Sequence, residues 1–323
     1  MKVFITRKIP DRGIKMLSAK GHTVAMNPED RVLTKDELVA FLKGDRYDAV
    51  LCLLTDKIDA DVFEAAGSSV KIFANMAVGF DNIDVASAKE RGIMVTNTPE
   101  VLTETVAEHT FALMLAIAHR IAESDRFSRA GQYHGWAPEL LLGTDVSHKI
   151  LGIIGLGRIG SRVAHHASRG FDMRVIYHDV KRNESFEKEF GAIYKEKLEG
   201  LMREADFVSI HVPLLPATRH LINAERLKLM KPTAYLINTS RGPIVDEGAL
   251  RDALKSGTIR GAAIDVWEHE PELTPGLAEL ENIIITPHTA SATEETRQKM
   301  GEVAAKNIIE VLEGHPATNN LIK

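Results

Sequence analysis

The sequence predicts an α/β protein of two doubly wound domains. Short β-branched runs alternate with longer helical patterns, which builds parallel sheets covered by helices on both faces. Ten strand candidates are many for one open sheet, so two sheets are expected. The 323 residues also suit two domains of roughly 100–200 residues each.

The expected strands are 3–6, 49–53, 72–75, 94–96, 150–154, 174–177, 207–210, 234–238, 262–265 and 283–286. A first boundary falls near Thr98-Pro99-Glu100, because a proline holds the residue before it extended. Thr103 then reads as an N-cap for a long helix over 105–121, apolar almost all round. Such a helix is expected to be buried between domains or at a subunit interface. A second boundary follows Pro287-His288, and a last helix over 294–313 closes the chain. There is no short-period repeat and no low-complexity segment.

Composition narrows the function classes. The chain is 44% hydrophobic and 26% charged, as in an ordinary globular protein, and its formal net charge is −5. No long basic run is present, so neither nucleic acid nor an anionic membrane is indicated as a partner. The longest uncharged apolar run, 111–118, is too short to cross a bilayer. The single cysteine, Cys52, lies in an apolar run and reads as a small core residue rather than a nucleophile. Low cysteine use fits a reducing compartment, and Met1 leads directly into a strand without a signal peptide, so a cytoplasmic protein is expected. No metal site is expected.

The strand 150–154 runs straight into Gly155-Leu156-Gly157-Arg158-Ile159-Gly160, and a helical pattern follows from Ile159. A glycine triplet alone is a weak signal, but between strand and helix it has a mechanism. The first glycine makes the tight turn, the second lets a pyrophosphate approach the backbone, and the third lets helix and strand pack closely. Unpaired N–H groups at the helix start then face the phosphates. Asp179 ends the next strand, 19 residues past Gly160, near the ~20 expected for the acid that binds the adenosine ribose. A carboxylate there favours NAD, because it repels a 2′-phosphate. Lys181 and Arg182 could neutralise such a phosphate, so NADP stays open.

Three further segments carry polar residues at strand ends: Asn238-Thr239-Ser240-Arg241-Gly242, Glu268-His269-Glu270-Pro271, and Thr286-Pro287-His288-Thr289-Ala290-Ser291. Ligands bind at that edge of open α/β sheets. With these motifs, and Asn75-Met76-Ala77-Val78-Gly79-Phe80-Asp81-Asn82-Ile83-Asp84, essentially the whole chain resembles the D-isomer-specific 2-hydroxyacid dehydrogenases, most closely their glyoxylate and hydroxypyruvate reductase branch. The resemblance implies a Rossmann-type NAD-binding domain, 102–288, inserted in a flavodoxin-like substrate domain formed by 1–101 and 289–323. It implies an active site in the cleft between them, with Arg241, Glu270 and His288 as the catalytic set.

The residue types suit that chemistry. Hydride delivery to a 2-oxo carbon builds negative charge on the carbonyl oxygen, which needs a proton. His288 can supply one near neutral pH, and Glu270 would orient its ring and favour the protonated form. Arg241 offers a planar fork for the substrate carboxylate. Taken singly, Arg241 could be a structural ion-pair residue, Glu270 a turn carboxylate and His288 one of 13 histidines, most of them not catalytic. The set, in this order and these contexts, favours catalysis.

The resemblance carries further residues with it. The Val78 and Gly79 N–H groups would hold the carboxylate from the other side, and Leu54 would touch the substrate tail. Arg158 and Ile159 would line the pyrophosphate. His211, Pro213 and Thr218 would border the cofactor. Thr239 and Asp265 would sit near the nicotinamide, although Asp265 equally suits a strand-end cap. Trp136 lies in a segment that family dimers exchange. It would reach the partner's active site or serve as a buried anchor, and a homodimer is expected. The predicted substrate is a small 2-oxo or 2-hydroxy acid.

Rival readings lie inside and outside this chemistry. D-lactate, 2-ketogluconate and 3-phosphoglycerate enzymes share the family, although the last often carry an added regulatory domain. A phosphite-oxidising relative would have Lys where Val78 stands. The same fold also serves NAD(H)-sensing corepressors, whose extended tails this chain does not display.

Overall fold

The computed structural model describes residues 1–322 and divides into two compact units. One comprises 1–102 with the chain from Ala292 onward, and the other is Thr103–Ser291. The sequence placed these boundaries at 101/102 and 288/289. Lys323, the last residue of the expected substrate domain, lies outside the described residues.

The first unit holds five strands: β1 (Lys2–Ile5), β2 (Thr23–Met26), β3 (Ala49–Cys52), β4 (Ile72–Asn75) and β5 (Met94–Thr96). They pair in the order β2-β1-β3-β4-β5, all parallel, which is the flavodoxin-like order. β3 and β4 are buried at every position, as parallel strands covered on both faces must be. Phe63 meets Phe73 edge to face at 5.0 Å, within a core that includes Phe4, Val50, Cys52 and Val95. Burial pushes the Cys52 thiol well up, so it stays protonated and unreactive, as a core residue should. The last helix, Glu294–Leu312, joins this unit by crossing helix Asp11–Ala19. Their backbones approach so closely that a β-carbon on Gly13 would lie 2.5 Å from the Gly301 carbonyl oxygen.

The second unit holds seven strands: β6 (Ile150–Ile154), β7 (Arg174–His178), β8 (Ile193–Tyr194), β9 (Phe207–Ile210), β10 (Tyr235–Asn238), β11 (Gly261–Ile264) and β12 (Ile283–Ile285). Their order is β12-β11-β10-β9-β6-β7-β8, the doubly wound dinucleotide-binding arrangement with an extra strand. The chain runs outward from β6 through β7 to β8, then returns to the other side of β6 as β9. That reversal opens a crevice at the carboxyl ends of β6 and β9, where such sheets bind ligands.

Two strands escaped the sequence reading. β2 is a sheet edge with partly exposed residues, and β8 is an edge of two residues, so neither needs a continuous apolar run.

The expected helix over 105–121 needs correction. Helix Thr103–Ala118 starts at Thr103 itself, and Arg120 then turns left-handed at φ 54°. A two-pronged ion pair to Glu123, at 2.7 and 2.6 Å, holds that turn, and a second helix, Ile121–Arg129, follows. The first helix buries Val106, Ala107, Phe111, Leu113, Met114, Ile117 and Ala118 inside its own unit and leaves Glu104, Glu108 and Ala112 exposed. It packs on helix Arg158–Gly170 and on β10, β11 and β12. Phe111 stacks on Phe171 at 5.2 Å. Among the described residues, no helix is long and apolar enough to cross a membrane.

Candidate active site

The glycine loop follows β6 as its three glycines require. Gly155 has φ 93°, a conformation that costs a side-chain-bearing residue about 1–2 kcal/mol. A β-carbon there would also lie 2.9 Å from the His211 carbonyl, at the end of β9. At Gly160 a β-carbon would lie 2.0 Å from the Gly155 oxygen, so only glycine lets the helix pack this close. Gly157 differs: nothing lies within 4 Å of its absent β-carbon, and it is exposed. It caps helix Arg158–Gly170 without a side-chain hydrogen bond, so the helix start is roomy on the Gly157 side. Backbone donors at a roomy helix start fit a dinucleotide pyrophosphate. Arg158 is exposed and Ile159 half-buried at the same helix start.

Asp179 follows β7. One carboxylate oxygen accepts from the Leu156 N–H at 2.7 Å, the other from the Lys181 N–H at 3.1 Å. The acid therefore reaches back to the glycine loop. The neighbouring cations are not equivalent. Arg182 is engaged by Glu187 at 2.7–3.2 Å and lies over the Tyr194 ring. That partner holds the Glu187 carboxyl down at about 2. Lys181 is exposed.

The catalytic candidates lie on three loops of the second unit, and two of them meet. His288 Nδ1 lies 2.9 Å from Glu270 Oε2, and the two side chains are 24% and 31% exposed. Glu270 Oε1 accepts from the Trp267 N–H at 3.1 Å, which fixes the carboxylate before it meets the ring. His288 itself has φ 53°, and its N–H donates to the Asp265 carbonyl at 2.8 Å. Arg241 follows the end of β10, with its Nη1 donating to the Ser240 carbonyl at 2.8 Å. The next residue brings its turn against the Glu270 loop. A β-carbon on Gly242 would lie 1.9 Å from the Trp267 carbonyl carbon and oxygen.

The first unit carries the loop expected to bind substrate. Asn97 Nδ2 donates to the Val78 carbonyl at 2.8 Å, and Asn75 Nδ2 to the Gly79 carbonyl at 2.9 Å. Both carbonyls are thereby engaged, while among the described residues no backbone acceptor meets the Val78 and Gly79 N–H groups. Leu54 is half-buried just before Asp56. The buried Asp56 carboxylate accepts from the Leu53 N–H at 2.7 Å and the Thr6 hydroxyl at 2.5 Å. Burial pushes that carboxyl up, against both contacts.

Residues 111–290 match the family described as D-isomer specific 2-hydroxyacid dehydrogenase, NAD binding domain. The chain belongs to that family. This dehydrogenase is 48% identical over 321 residues to a glyoxylate reductase of Korarchaeum cryptofilum, covering 98% of this chain and 95% of that one. It is 46% identical over 312 residues to a glyoxylate reductase of Pyrococcus furiosus, covering 95% and 91%. Among solved structures, a Thermus thermophilus protein superposes with a TM-score of 0.93 at 42% identity and full coverage of both chains. An NADPH-dependent glyoxylate/hydroxypyruvate reductase of Sinorhizobium meliloti, solved with NADP and malonate, gives a TM-score of 0.85 at 30% identity, covering 99% and 96%. The protein is therefore an NAD(P)-dependent oxidoreductase of small 2-oxo and 2-hydroxy acids.

Around these loops of the dehydrogenase, several expected cofactor contacts have internal duties. His211 is half-buried, with Nε2 2.8 Å from the Ser209 hydroxyl, and burial pushes the ring down to about 3. The Thr218 hydroxyl donates to the carbonyls of Pro213 and Leu215, closing the turn that bears the exposed Pro213. The buried Thr239 hydroxyl lies 3.0 Å from that of Thr110. Asp265 is wholly buried and accepts from the Thr286 hydroxyl at 2.7 Å and the Thr289 and Ala290 N–H groups at 2.8 Å. Of its two expected roles, these bonds describe the strand-end cap. Burial alone would raise its carboxyl, but His109, Thr286 and the two amides outweigh burial and hold it low.

Sequence reasoning overlooked a second layer. Buried Glu247 accepts from the Glu268 N–H at 2.5 Å and the Thr274 hydroxyl at 2.7 Å, and burial pushes its carboxyl up. Glu268 in turn meets His220 at 2.6 Å. These contacts tie down the loop that carries Glu270.

Proposed function

We propose that this dehydrogenase reduces glyoxylate and hydroxypyruvate to their 2-hydroxy acids, with NADH preferred. The 2.9 Å contact of His288 with a Glu270 carboxylate anchored on the Trp267 amide carries the reading. Relatives named glyoxylate reductase at 46–48% identity support the substrate class.

The dinucleotide is held by Gly155, Gly157 and Gly160, by Arg158 and Ile159 at the pyrophosphate, and by Asp179 at the adenosine ribose. His211, Pro213, Thr218, Thr239 and Asp265 border it. Bound in its reduced form, it supplies the hydride that C2 of the 2-oxo acid accepts. Because Glu270 takes the Nδ1 proton as a hydrogen bond, the proton delivered to the substrate oxygen leaves Nε2 of the doubly protonated His288 ring. Glu270 orients that ring through the Nδ1 hydrogen bond. Arg241 binds the substrate carboxylate and polarises the carbonyl. Val78 and Gly79 offer backbone N–H groups to the carboxylate, and Leu54 contacts the substrate tail. NAD is favoured because Asp179 opposes a 2′-phosphate and Arg182 is already committed to Glu187.

The enzyme works as a cytoplasmic homodimer. Tyr133, Trp136, Leu140 and Leu142 expose apolar surface on one irregular segment, with Trp136 82% exposed. Large apolar groups gathered on a surface mark association sites. Sedimentation of the native chain tests the dimer, and a monomer at micromolar concentration contradicts it.

A kcat/KM panel of glyoxylate, hydroxypyruvate, pyruvate and 2-ketogluconate, each with NADH and NADPH, tests the substrate and cofactor assignments together. Glyoxylate and hydroxypyruvate with NADH should lead. A preference for pyruvate or 2-ketogluconate would move the enzyme to another branch of the family.

A further inference from the structure

The His288 turn is strained and held from behind. A non-glycine residue in the left-handed region persists only where its surroundings over-determine it, and His288 sits there at φ 53°. Asp265 supplies the restraint. Its carbonyl accepts the His288 N–H, while its carboxylate grips Thr286 on one side of His288 and Thr289 and Ala290 on the other. A carboxylate with no solvent exposure needs a full set of donors, because a buried charge is costly unless each lone pair is satisfied.

One donor comes from elsewhere in the unit. His109, on helix Thr103–Ala118, has Nε2 3.4 Å from Asp265 Oδ1 and 3.3 Å from Thr286 Oγ1. The Thr286 hydroxyl spends its single proton on Asp265, so toward His109 it can only accept. Asp265 is also an acceptor. The proton between them must therefore sit on His109 Nε2. The same helix meets two other parts of the site. The Thr110 hydroxyl contacts that of Thr239, two residues before Arg241, and Glu104 pairs with Arg162 on the helix that follows the glycine loop.

We propose that His109 is a positioning residue for His288: through its Nε2–H it completes the donor cage of Asp265 and Thr286, and so holds the turn that presents the catalytic ring. His109 acts through other groups and delivers no proton to substrate. The inference rests on His288 being the proton donor.

The test compares His109→Leu, which removes the donor at similar volume, with His109→Gln, whose amide keeps one at similar reach. Glyoxylate kcat, substrate KM, NADH Kd by fluorescence titration, thermal midpoint, and the isotope effect with NADH deuterated at the transferred position are measured for both. For His109→Leu, kcat should fall about tenfold or more, the isotope effect should rise, and NADH Kd should stay within about threefold. His109→Gln should recover most of the kcat. Equal losses in both variants, or a lowered thermal midpoint with unchanged kcat and isotope effect, would show that His109 only packs. Should His109→Leu not fold, Thr286→Val removes the hydroxyl shared with His109 and should give the same kcat loss; full activity there overturns the proposal. His288→Ala is run in parallel. Full activity in that variant would defeat the proton-donor reading itself, whereas loss there with none in His109→Leu defeats only the role of His109.

Discussion

The Leu156 N–H donates to the Asp179 carboxylate at 2.7 Å, so the acid expected to bind the ribose also closes the loop expected to bind the pyrophosphate. Cofactor choice and loop geometry are thereby linked. Asp179→Ala should narrow the NADH/NADPH ratio of kcat/KM by at least about tenfold. It should also lower the thermal midpoint by a few degrees, since a hydrogen bond to a charged group contributes about 1.5–3 kcal/mol. An unchanged ratio would hand the choice to Lys181 or to the loop backbone.

Gly242 sets the distance between the Arg241 turn and the Glu270 loop. Gly242→Ala places a β-carbon 1.9 Å from the Trp267 carbonyl, so one loop must move. The expected result is a fall in glyoxylate kcat/KM of about a hundredfold or more, with NADH Kd little changed. Near-normal kcat/KM would show that the approach of the two loops does not matter to catalysis.

Glu270→Gln keeps the shape of the side chain and a possible acceptor for the Trp267 amide, but removes the charge beside His288. Reduction should slow by about 10–100-fold in kcat, within the span of a general acid's contribution. Retention of wild-type kcat would leave Glu270 as a turn residue.

His211 makes stability depend on pH in a stated direction. Burial pushes its ring down to about 3 in the fold, against about 6.5 in an unfolded chain. Between those values the unfolded state binds more protons, so stability falls as pH drops below about 6.5 and continues to fall toward 3. Urea midpoints of His211→Asn should therefore lose less than those of the native chain between pH 7 and 4. Parallel curves would mean that His211 does not titrate as its burial demands.

The sequence carried the sheets well, because fully buried parallel strands such as Ala49–Cys52 and Gly261–Ile264 read as apolar runs. It missed Thr23–Met26, a partly exposed edge where no such run is required. It placed helix Thr103–Ala118 but ran its end to residue 121, past the left-handed turn at Arg120. The site divides along similar lines. Gly155, Gly157, Gly160 and Asp179 were legible because their spacing follows from a strand-turn-helix mechanism. His109, Glu247 and His220 were not, because their partners lie from 21 to 177 residues away and only tertiary packing brings them together. Asp265 was visible, but the donors that occupy it were not.

The most direct test of the central claim is kcat for glyoxylate reduction by His288→Ala with saturating NADH, read beside its NADH Kd. Loss of the general acid should lower kcat by about a hundredfold or more while NADH binds with nearly native affinity. A kcat within a few-fold of the native enzyme would contradict His288 as the proton donor.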